Sequence, residues 1–385
     1  MMEEAKFFSK LRDHIKSKNA FVVYRFPNEE NQRVHALLQN NFQSFTCSDF
    51  SESGFVFAPF SDKEKIYLIP STEAEKIEFQ HYPESKVDED QAEVIFQEGN
   101  FPQREKDQKD HENLVQKAVD TIKNGHLKKV VLSRKETVQV HDPDPVRIYK
   151  NLLDKYSSAF AYLWFHPETG FWLGATPETL LKTERNRFKT MALAGTQLFR
   201  NQSVVKWEQK EIEEQKLVTD YILETLADNG IERIEKSDPY TLKAGNLLHI
   251  CTDITGTFQK NENGIAPLIN SLHPTPAVCG LPKEKAKEFI LENEGYNRKF
   301  YTGFLGELNL KTQVQRSSRS RNQENQQFSA IFESTRLFVN LRCLELKGGD
   351  ASLFVGGGIT KDSIATSEWM ETVNKAQTMK AILVK

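Results

Sequence analysis

Apolar and polar residues alternate over many short stretches of this chain, which is typical of β-strands with one buried face. After an initial helix, such stretches are AFVVYRF, GFVFAPF and KIYLIP, separated by polar turn material. Later ones are KKVVLSRKETVQV, FAYLWFH, GFWLGAT, LLHICTDITGTF, TGFLGELNL, RLFVNLRCLEL and ASLFVGGGIT. Predicted hairpins outnumber β-α-β units, so we expect an α+β fold in which large antiparallel sheets pack as a sandwich and are wrapped by helices.

An apolar period of 3.6 residues predicts helices between these strands. We expect one helix from about residue 112, a long one over 207–228 and a last one over 367–382. Thr366 or Ser367 would cap the start of the last helix, because a side-chain oxygen there can accept a hydrogen bond from a free backbone N–H. The apolar residues of that helix cover nearly its whole circumference, which predicts that it is buried.

The pattern also suggests how the chain is divided. The segment 82–111 is highly charged and has no apolar period, which indicates a surface connection. We therefore expect a strand-rich N-terminal part of the same fold, 1–110, followed by a catalytic region, 111–385. The stretch 314–329 is polar and featureless, and we expect a mobile loop there.

Composition narrows the class of protein. The 385 residues carry a net charge of −3, so the chain as a whole has no strong attraction for nucleic acid or anionic lipid. No apolar run approaches the roughly 18–20 residues of a membrane helix, and the acidic N-terminus does not resemble a secretory signal. The four cysteines form no CxxC pair and no zinc-type spacing, which favours reduced thiols and a cytoplasmic location.

Two predicted helices carry glutamates on faces that are expected to be buried. On the last helix, Glu368, Glu371 and Lys375 fall within about 60° of one another. On the long helix, Glu214 falls among the apolar residues. A buried carboxylate costs several kcal/mol unless a cation or several donors compensate it. One divalent cation between the helices would compensate both, and all-carboxylate ligands suit Mg²⁺.

The alternative explanation needs no metal. Either helix end could reach solvent, or the glutamates could pair within their own helices at i, i+4 spacing, Glu214 with Lys210 and Glu371 with Lys375. Composition alone leaves these interpretations equally weighted. Lys129 stands beside the β-branched core of KKVVLSRKE. If that segment is taken by itself, Lys129 is explained as a solvated residue at the edge of a sheet.

Several segments, in order along the chain, resemble motifs of the chorismate-utilising enzymes, which include isochorismate, anthranilate, aminodeoxychorismate and salicylate synthases. The segments are KVVLSR, GATPE, LAGT, LLH, HPTPAVCG, NLRC, FVGGGI and SEWMETVNK, with Glu294 and Arg298 in E-x-x-x-R spacing. The resemblance spans roughly 110–385. Within the family the chain is most similar to the isochorismate synthases.

The resemblance implies a role for each matching position. Lys129 matches a general base that activates water, and Glu178 matches a general acid. Glu214 and Glu371 match Mg²⁺-binding glutamates, and Glu368 would act through a coordinated water. The positions that match substrate contacts are Arg342 and Lys375, which would hold carboxylates, and Gly195, Thr196, His249, Ala277, Tyr301 and Gly356.

The implied reaction is the Mg²⁺-dependent isomerisation of chorismate to isochorismate, by attack of water at C2 and loss of the C4 hydroxyl. It would serve menaquinone or siderophore synthesis. Relatives that use ammonia generally lack a lysine at 129 and differ from this chain at HPTPAVCGLPK, so no glutaminase subunit is expected. Salicylate synthases share the lysine and remain the alternative, because Ala277 and Val278 are only suggestive of an isochorismate synthase.

A function of another class is nucleic-acid binding through the loop 315–321, which carries Arg316, Arg319 and Arg321. So few charges are more often simply solvated, and the loop lacks the interleaved aromatics of a single-strand platform. We therefore expect no nucleic-acid and no membrane partner, and either a monomer or a weak dimer.

Overall fold

The computed structural model describes residues 2–28, 32–82, 101–199, 205–231, 233–245, 247–258, 264–314 and 330–383. Its helices are α1 (Glu4–Ser17), α2 (Phe101–Lys123), α3 (Pro145–Lys155), α4 (Gln209–Asp228), α5 (Ala266–Leu272), α6 (Lys283–Asn293) and α7 (Ala365–Lys380).

The strands before α4 are β1 (Phe21–Arg25), β2 (Arg33–Gln39), β3 (Phe45–Cys47), β4 (Gly54–Ala58), β5 (Ile66–Pro70), β6 (Ala74–Gln80), β7 (Lys129–Gln139), β8 (Phe160–His166), β9 (Gly170–Thr176), β10 (Thr179–Glu184) and β11 (Arg187–Leu198). Those after it are β12 (Glu235–Lys236), β13 (Tyr240–Ala244), β14 (Leu247–Thr257), β15 (Gly280–Leu281), β16 (Phe304–Val314), β17 (Ala330–Val339), β18 (Cys343–Lys347) and β19 (Asp350–Ile359).

These strands form two large antiparallel sheets. Sheet I has the order β15-β7-β19-β18-β9-β8-β1-β2-β6, and sheet II has the order β12-β14-β11-β10-β17-β16-β4-β5-β3, with β13 paired to β14. The N-terminal strands are shared between the sheets, since β1, β2 and β6 lie in sheet I and β3, β4 and β5 in sheet II. The expected antiparallel α+β architecture is confirmed.

Aromatic side chains hold the two sheets face to face. Phe160 of sheet I stacks on Phe338 of sheet II with ring centroids 4.2 Å apart. Phe57 of sheet II contacts Trp164 and Trp172 of sheet I, and all three side chains are fully buried. Large flat side chains bury much apolar area in such a layer, so the sandwich has a continuous core between its sheets.

Helices cover the outer surfaces. The core between sheet I, α1 and α3 contains Phe7, Leu11 and Leu152, whereas Val218 and Ile222 of α4 contribute to the core on sheet II. Helices α2 and α6 pack on β7 at the edge region of sheet I. The sandwich is therefore wrapped by helices, as the sequence predicts.

Two local predictions are wrong. Helix α2 begins at Phe101, so the last part of the expected connection 82–111 is helical, and residues 83–100 lie outside the described residues. Strand β2 occupies a stretch interpreted as turn material, and β6 occupies a stretch for which no individual strand was predicted. They pair with each other and β2 pairs with β1, and this tertiary pairing stabilises segments whose own pattern is weak.

The chain crosses between the sheets at two places near each other. The first is Pro177–Glu178, between β9 and β10, and the second is Asn340–Arg342, between β17 and β18. The backbone N–H of Val339 donates to the carbonyl of Glu178 over 3.0 Å, which ties the two crossings together. The prediction of one continuous strand over RLFVNLRCLEL is therefore wrong, because the segment changes sheets in its middle.

Three further predictions concern the location of the protein, its division into two parts and the loop at 314–329. Among the described helices, none is long and apolar enough to cross a membrane; the cytoplasmic location stays a prediction. The division into 1–110 and 111–385 also stays a prediction, and its boundary lies within α2. The expected loop, from residue 315 onward and including 315–321, lies outside the described residues.

Candidate active site

A pocket lies between the two sheets and the helices α4 and α7. All but two of the predicted site residues line it: Glu178, Gly195, Thr196, Glu214, His249, Ala277, Tyr301, Arg342, Gly356, Glu371 and Lys375. The other two, Lys129 and Glu368, stand directly behind this lining, where each forms an ion pair with a residue of the wall. The eleven residues that line the pocket come from nine separate parts of the chain.

Glu178 enters the pocket from the first sheet crossing. Its side chain is buried, and burial raises the pKa of Glu178 to about 8 against the opposing effect of the Lys129 charge. The carboxyl group is therefore largely protonated at neutral pH and can donate a proton.

Lys129, at the start of β7, is completely buried, so the interpretation as edge decoration is wrong. Its Nζ lies 2.8 Å from Oε1 of Glu214. That contact is an ion pair, and among the described residues Nζ has no other hydrogen-bond partner, so most of its three N–H groups are unused. A buried amine with unused hydrogen-bonding capacity is positioned to bind a small polar molecule.

The glycines of β19 allow the charged groups to approach the backbone. A Cβ on Gly358 would lie 2.4 Å from Oε1 of Glu214 and 3.1 Å from Cε of Lys129. A Cβ on Gly356 would lie 2.6 Å from the carbonyl oxygen of Leu132. Both positions therefore require glycine, because any side chain would displace a charged group or the neighbouring strand.

Gly195 interrupts β11 for a related reason. The register of β11 against β14 shifts between Ala194 and Thr196, and Gly195 has φ of +71°. A Cβ there would lie 3.0 Å from Cβ of Glu211 on α4. The bulge and the missing side chain together let α4 pack closely enough for Glu214 to reach the pocket.

The side of the pocket next to α4 and α7 is a charged wall, in which each of three glutamates pairs with one lysine. Nζ–Oε1 distances are 2.8 Å for Lys129 and Glu214, 2.9 Å for Lys210 and Glu368, and 2.7 Å for Lys375 and Glu371. The pairing expected within α7 is present, but the expected Glu214–Lys210 pair is not, because Lys210 bonds across to α7 instead.

The donor set suits a hard cation. Glu214, Glu368 and Glu371 supply carboxylate oxygens, and the last two approach the same point, each with one oxygen 3.5 Å from a Cβ position on Gly357. Within the described residues, however, no three such side chains come close enough together to form a metal cluster as they stand. The residue types therefore fit Mg²⁺, whereas their present partners are lysines.

The pKa values of two carboxylates in this wall, Glu214 and Glu368, are shifted in opposite directions. Burial acts to raise the pKa of Glu214, but Lys129, Lys375 and Lys210 outweigh it and hold the pKa below its ordinary value. The pKa of Glu368 is raised, first by burial and then by the charge of Glu371, against the effect of Lys210. A further positive charge at this wall would favour the ionised form of both groups.

The pocket is also lined by Arg342, which has φ of +48° at the second sheet crossing. Its Nη1 donates to the carbonyl of Ala244 over 2.9 Å, and its Nη2 donates to Nε2 of His249 over 2.7 Å. Nε2 is thus an acceptor, so the ring proton lies on Nδ1, 3.1 Å from the carbonyl oxygen of Gly195. Burial lowers the pKa of Arg342 to about 10, and the guanidinium remains charged at neutral pH.

A buried ion pair supports the pocket from behind. Arg298 donates from Nε to Glu294 over 2.7 Å, and its Nη1 and Nη2 donate to the carbonyls of Val278 and Val131 over 3.0 and 2.7 Å. Glu294 also accepts from the backbone N–H of Ser133 over 2.7 Å. Because Val131 and Val278 line the pocket, the pair fixes two of its walls.

Some residues of the pocket were not among the predicted site residues. Lys210 and Glu211 line it, as do Leu193, Leu247 and Phe354. The shared helical face of Lys210 and Glu214 was the available signal for Lys210. The apolar residues had no signal, because nothing in their pattern separates pocket walls from core.

Helix α7 differs from its prediction at two points. Its N-cap is Ile364, without a side-chain cap, so Thr366 and Ser367 lie inside the first turn. Met370 is 52% exposed, so the helix is not buried all round. The buried face carries Glu368 and Trp369, which explains why Glu368 needs a cationic partner.

Comparison with known proteins identifies the family of this chain. A family model described as chorismate binding enzyme matches residues 59–317, and a second model of the same description matches residues 331–381. The chain belongs to the chorismate-binding enzyme family. The family resemblance predicted from the sequence motifs is thereby confirmed.

Individual relatives of this chorismate-binding enzyme divide between two named activities. Isochorismate synthase EntC of Escherichia coli (strain K12) is 27% identical over 277 residues, which cover 70% of this chain and 65% of that protein. Anthranilate synthase component 1 of Aquifex aeolicus is also 27% identical, over 285 residues that cover 70% of this chain and 52% of that protein. Both matches span less than two thirds of the relatives' own length.

A solved structure shows the same fold. MenF, the menaquinone-specific isochorismate synthase from Escherichia coli, superposes with a TM-score of 0.71, covering 95% of this chain and 89% of that chain at 19% identity. At that identity the likeness concerns the architecture alone. The choice among activities within the family therefore depends on the residues of the pocket.

Proposed function

We propose that this chorismate-binding enzyme isomerises chorismate to isochorismate with Mg²⁺. The observation that carries the proposal is the presence of two fully buried groups at one pocket: Lys129, an amine with unused hydrogen-bonding capacity, and Glu178, a carboxyl group with a pKa of about 8. They lie close enough for the charge of Lys129 to act on Glu178. A base and an acid arranged in this way suit addition of water and departure of hydroxyl on one ring.

In the proposed reaction, the unprotonated amine of Lys129 takes a proton from water as the water oxygen bonds to C2. The ring double bonds shift, the C4–O bond breaks, and protonated Glu178 gives its proton to the departing hydroxyl, which leaves as water. One water enters and one leaves, so the reaction is an isomerisation. Transfer of the proton from Lys129 to Glu178 through solvent then restores both groups.

Chorismate carries two carboxylates, and the pocket offers positive charge for each. Arg342, held by Ala244 and His249, would bind one of them, as would Lys375, whose Nζ donates to the carbonyl of Gly356 over 2.9 Å. Glu214, Glu368 and Glu371 would hold Mg²⁺, which when bound would neutralise the ring carboxylate of the substrate. Without such a cation, these glutamates would repel a dianion.

The second candidate within the family is a salicylate synthase, which would add elimination of pyruvate. The same lysine and glutamate would begin both reactions, so the pocket geometry favours water as nucleophile in either case. Isochorismate formation is the proposal, because it requires no proton-transfer group beyond Lys129 and Glu178.

Product analysis tests the proposal directly. Purified protein is incubated with chorismate and Mg²⁺, with and without ammonium, and the products are separated by chromatography. We expect isochorismate under both conditions, and none with the Glu178→Gln variant as matched control. Salicylate with pyruvate would favour the second candidate, and anthranilate formed only with ammonium, or no reaction at all, would contradict the proposal.

A further inference from the structure

The charged wall between α4 and α7 is balanced without any metal. Each of the three carboxylates has its own ammonium group at 2.7–2.9 Å, and the six charges sum to zero. The partners are also distributed across elements: Lys129 comes from β7, Lys210 from α4 and Lys375 from α7. A wall that can balance itself in this way has a stable state in which no divalent cation is bound.

Lys210 differs from the other two lysines in this wall. Lys129 and Lys375 are needed by the proposed reaction, whereas Lys210 has no part in it. Its side chain is 35% exposed, while that of its partner Glu368 is 3% exposed. Lys210 can therefore swing into solvent when another cation arrives, but Glu368 cannot follow it.

The positions of the Glu368 and Glu371 carboxylates indicate that Lys210 opposes the binding of a metal ion. Octahedral Mg²⁺ needs its oxygen ligands at about 2.0–2.1 Å, so carboxylates that share the ion must come close together. The ion pair across the two helices holds Glu368 toward α4 and neutralises it. A divalent cation that binds at Glu368 and Glu371 competes for the same carboxylate groups, because Lys210 holds Oε1 of Glu368 and Lys375 holds Oε1 of Glu371.

We infer that Lys210 occupies the place of a divalent cation in the metal-free protein, and that a cation must displace it from Glu368 to bind. The inference rests on the proposed function only in taking this wall as the metal site. It assigns Lys210 a role in setting metal affinity, separate from the chemistry. It also explains how the wall becomes attractive to a dianion only after metal has bound, when two charges replace the one of Lys210 and the sum of the wall's charges rises from zero to one.

The test measures metal binding without substrate. Mn²⁺ is used as the probe, and its free concentration is followed by electron paramagnetic resonance during titration of the protein. Loss of one positive charge beside a divalent ion changes its affinity by roughly tenfold, so the Lys210→Met variant should bind Mn²⁺ about tenfold more tightly than wild type. Lys210→Arg keeps the charge and should bind no more tightly than wild type.

Lys216→Met is the matched control, because Lys216 is exposed and lies on the same helix. It should leave Mn²⁺ affinity unchanged, which separates a direct contact from a general loss of charge. If Lys210→Met is poorly folded by circular dichroism, Lys210→Gln replaces it. Equal or weaker affinity in the folded Lys210→Met or Lys210→Gln variant, or absence of Mn²⁺ binding to both that variant and wild type, would overturn the inference.

A parallel product assay keeps the two proposals separate. If wild type makes isochorismate while the Lys210→Met variant binds Mn²⁺ no more tightly than wild type, the inference fails and the proposed function stands. If wild type makes no product from chorismate but the variant binds Mn²⁺ more tightly, the proposed function fails and the role of Lys210 stands.

Discussion

His249 and Arg342 form one unit, in which Nε2 of the imidazole accepts a 2.7 Å hydrogen bond from the guanidinium. Burial, together with the charges of Arg342 and Lys375, holds the pKa of His249 well below its ordinary value, so the ring is neutral. A neutral ring with its proton on Nδ1 orients Arg342 toward the pocket. We therefore expect His249 to position the substrate-binding cation.

This relationship predicts different results for two substitutions. Leucine at 249 removes the acceptor for Arg342, so His249→Leu should raise KM for chorismate by roughly tenfold to a hundredfold, the usual value of a hydrogen bond to a charged group. His249→Gln keeps an acceptor oxygen and should retain a KM near wild type. Steady-state kinetics measure both. A large, equal loss of kcat in both variants would instead indicate proton transfer by His249.

The proposed base and acid predict a large loss of rate. Lys129→Met and Glu178→Gln should each lower kcat by about 10²–10⁴-fold, because each removes one proton-transfer partner. The wild-type rate should also fall as pH rises through about 8, where Glu178 loses its proton. Kinetics with purified, folded variants check this. A variant that keeps most of its activity would exclude that residue from the role.

Glu178 also predicts a dependence of stability on pH. Its pKa is raised from 4.5 to about 8 in the folded protein, so the stabilising effect of its proton is present below pH 4.5 and is lost as pH rises through 8. Glu178→Gln cannot ionise and should avoid this loss. From pH 5 to pH 9 the variant should gain a few kcal/mol in the free energy of unfolding relative to wild type, since each pKa unit is worth about 1.4 kcal/mol.

Urea unfolding at pH 5, 7 and 9 measures the difference. Parallel curves for wild type and Glu178→Gln over this range would show that Glu178 is not held protonated by the fold.

Because Glu294 and Arg298 form a buried pair, we expect substitutions at the two positions to have strongly non-additive effects on the free energy of unfolding. Their side chains are 1% and 2% exposed, so removing one leaves the other charged and unpaired in the core. Arg298→Met should destabilise the protein by about 3–5 kcal/mol, and the double variant with Glu294→Leu should be less unstable than the sum of the single variants. Denaturant unfolding of all four proteins measures the coupling. Strict additivity would contradict it.

The metal hypothesis predicts loss of turnover when the carboxylates are removed. Glu214→Ala and Glu371→Ala should each lose the Mg²⁺-dependent activity, because each deletes an oxygen ligand of a hard cation. Activity is measured over a Mg²⁺ titration. Wild-type activity that survives excess chelator undiminished would remove Mg²⁺ from the mechanism.

Most of the strands and helices could be predicted because each has a local period. The apolar faces of α4 and α7 also marked Glu214, Glu368 and Glu371, since a charged residue within an apolar stripe is visible without coordinates. The partners of those glutamates were not predictable in the same way. Lys375 lies one turn from Glu371, whereas Lys210 and Lys129 reach their carboxylates from other elements.

The sequence by itself determined the antiparallel α+β class, the ordered motifs of the family and the side chains able to do chemistry. Only the tertiary structure decided that Lys129 is buried, that Lys210 bonds to Glu368, and that the chain changes sheets at Glu178 and Arg342. The physical reason is that local sequence patterns do not record long-range contacts. Periodicity records which face of an element is buried, but burial of a charge and its choice of partner depend on elements far away in the chain.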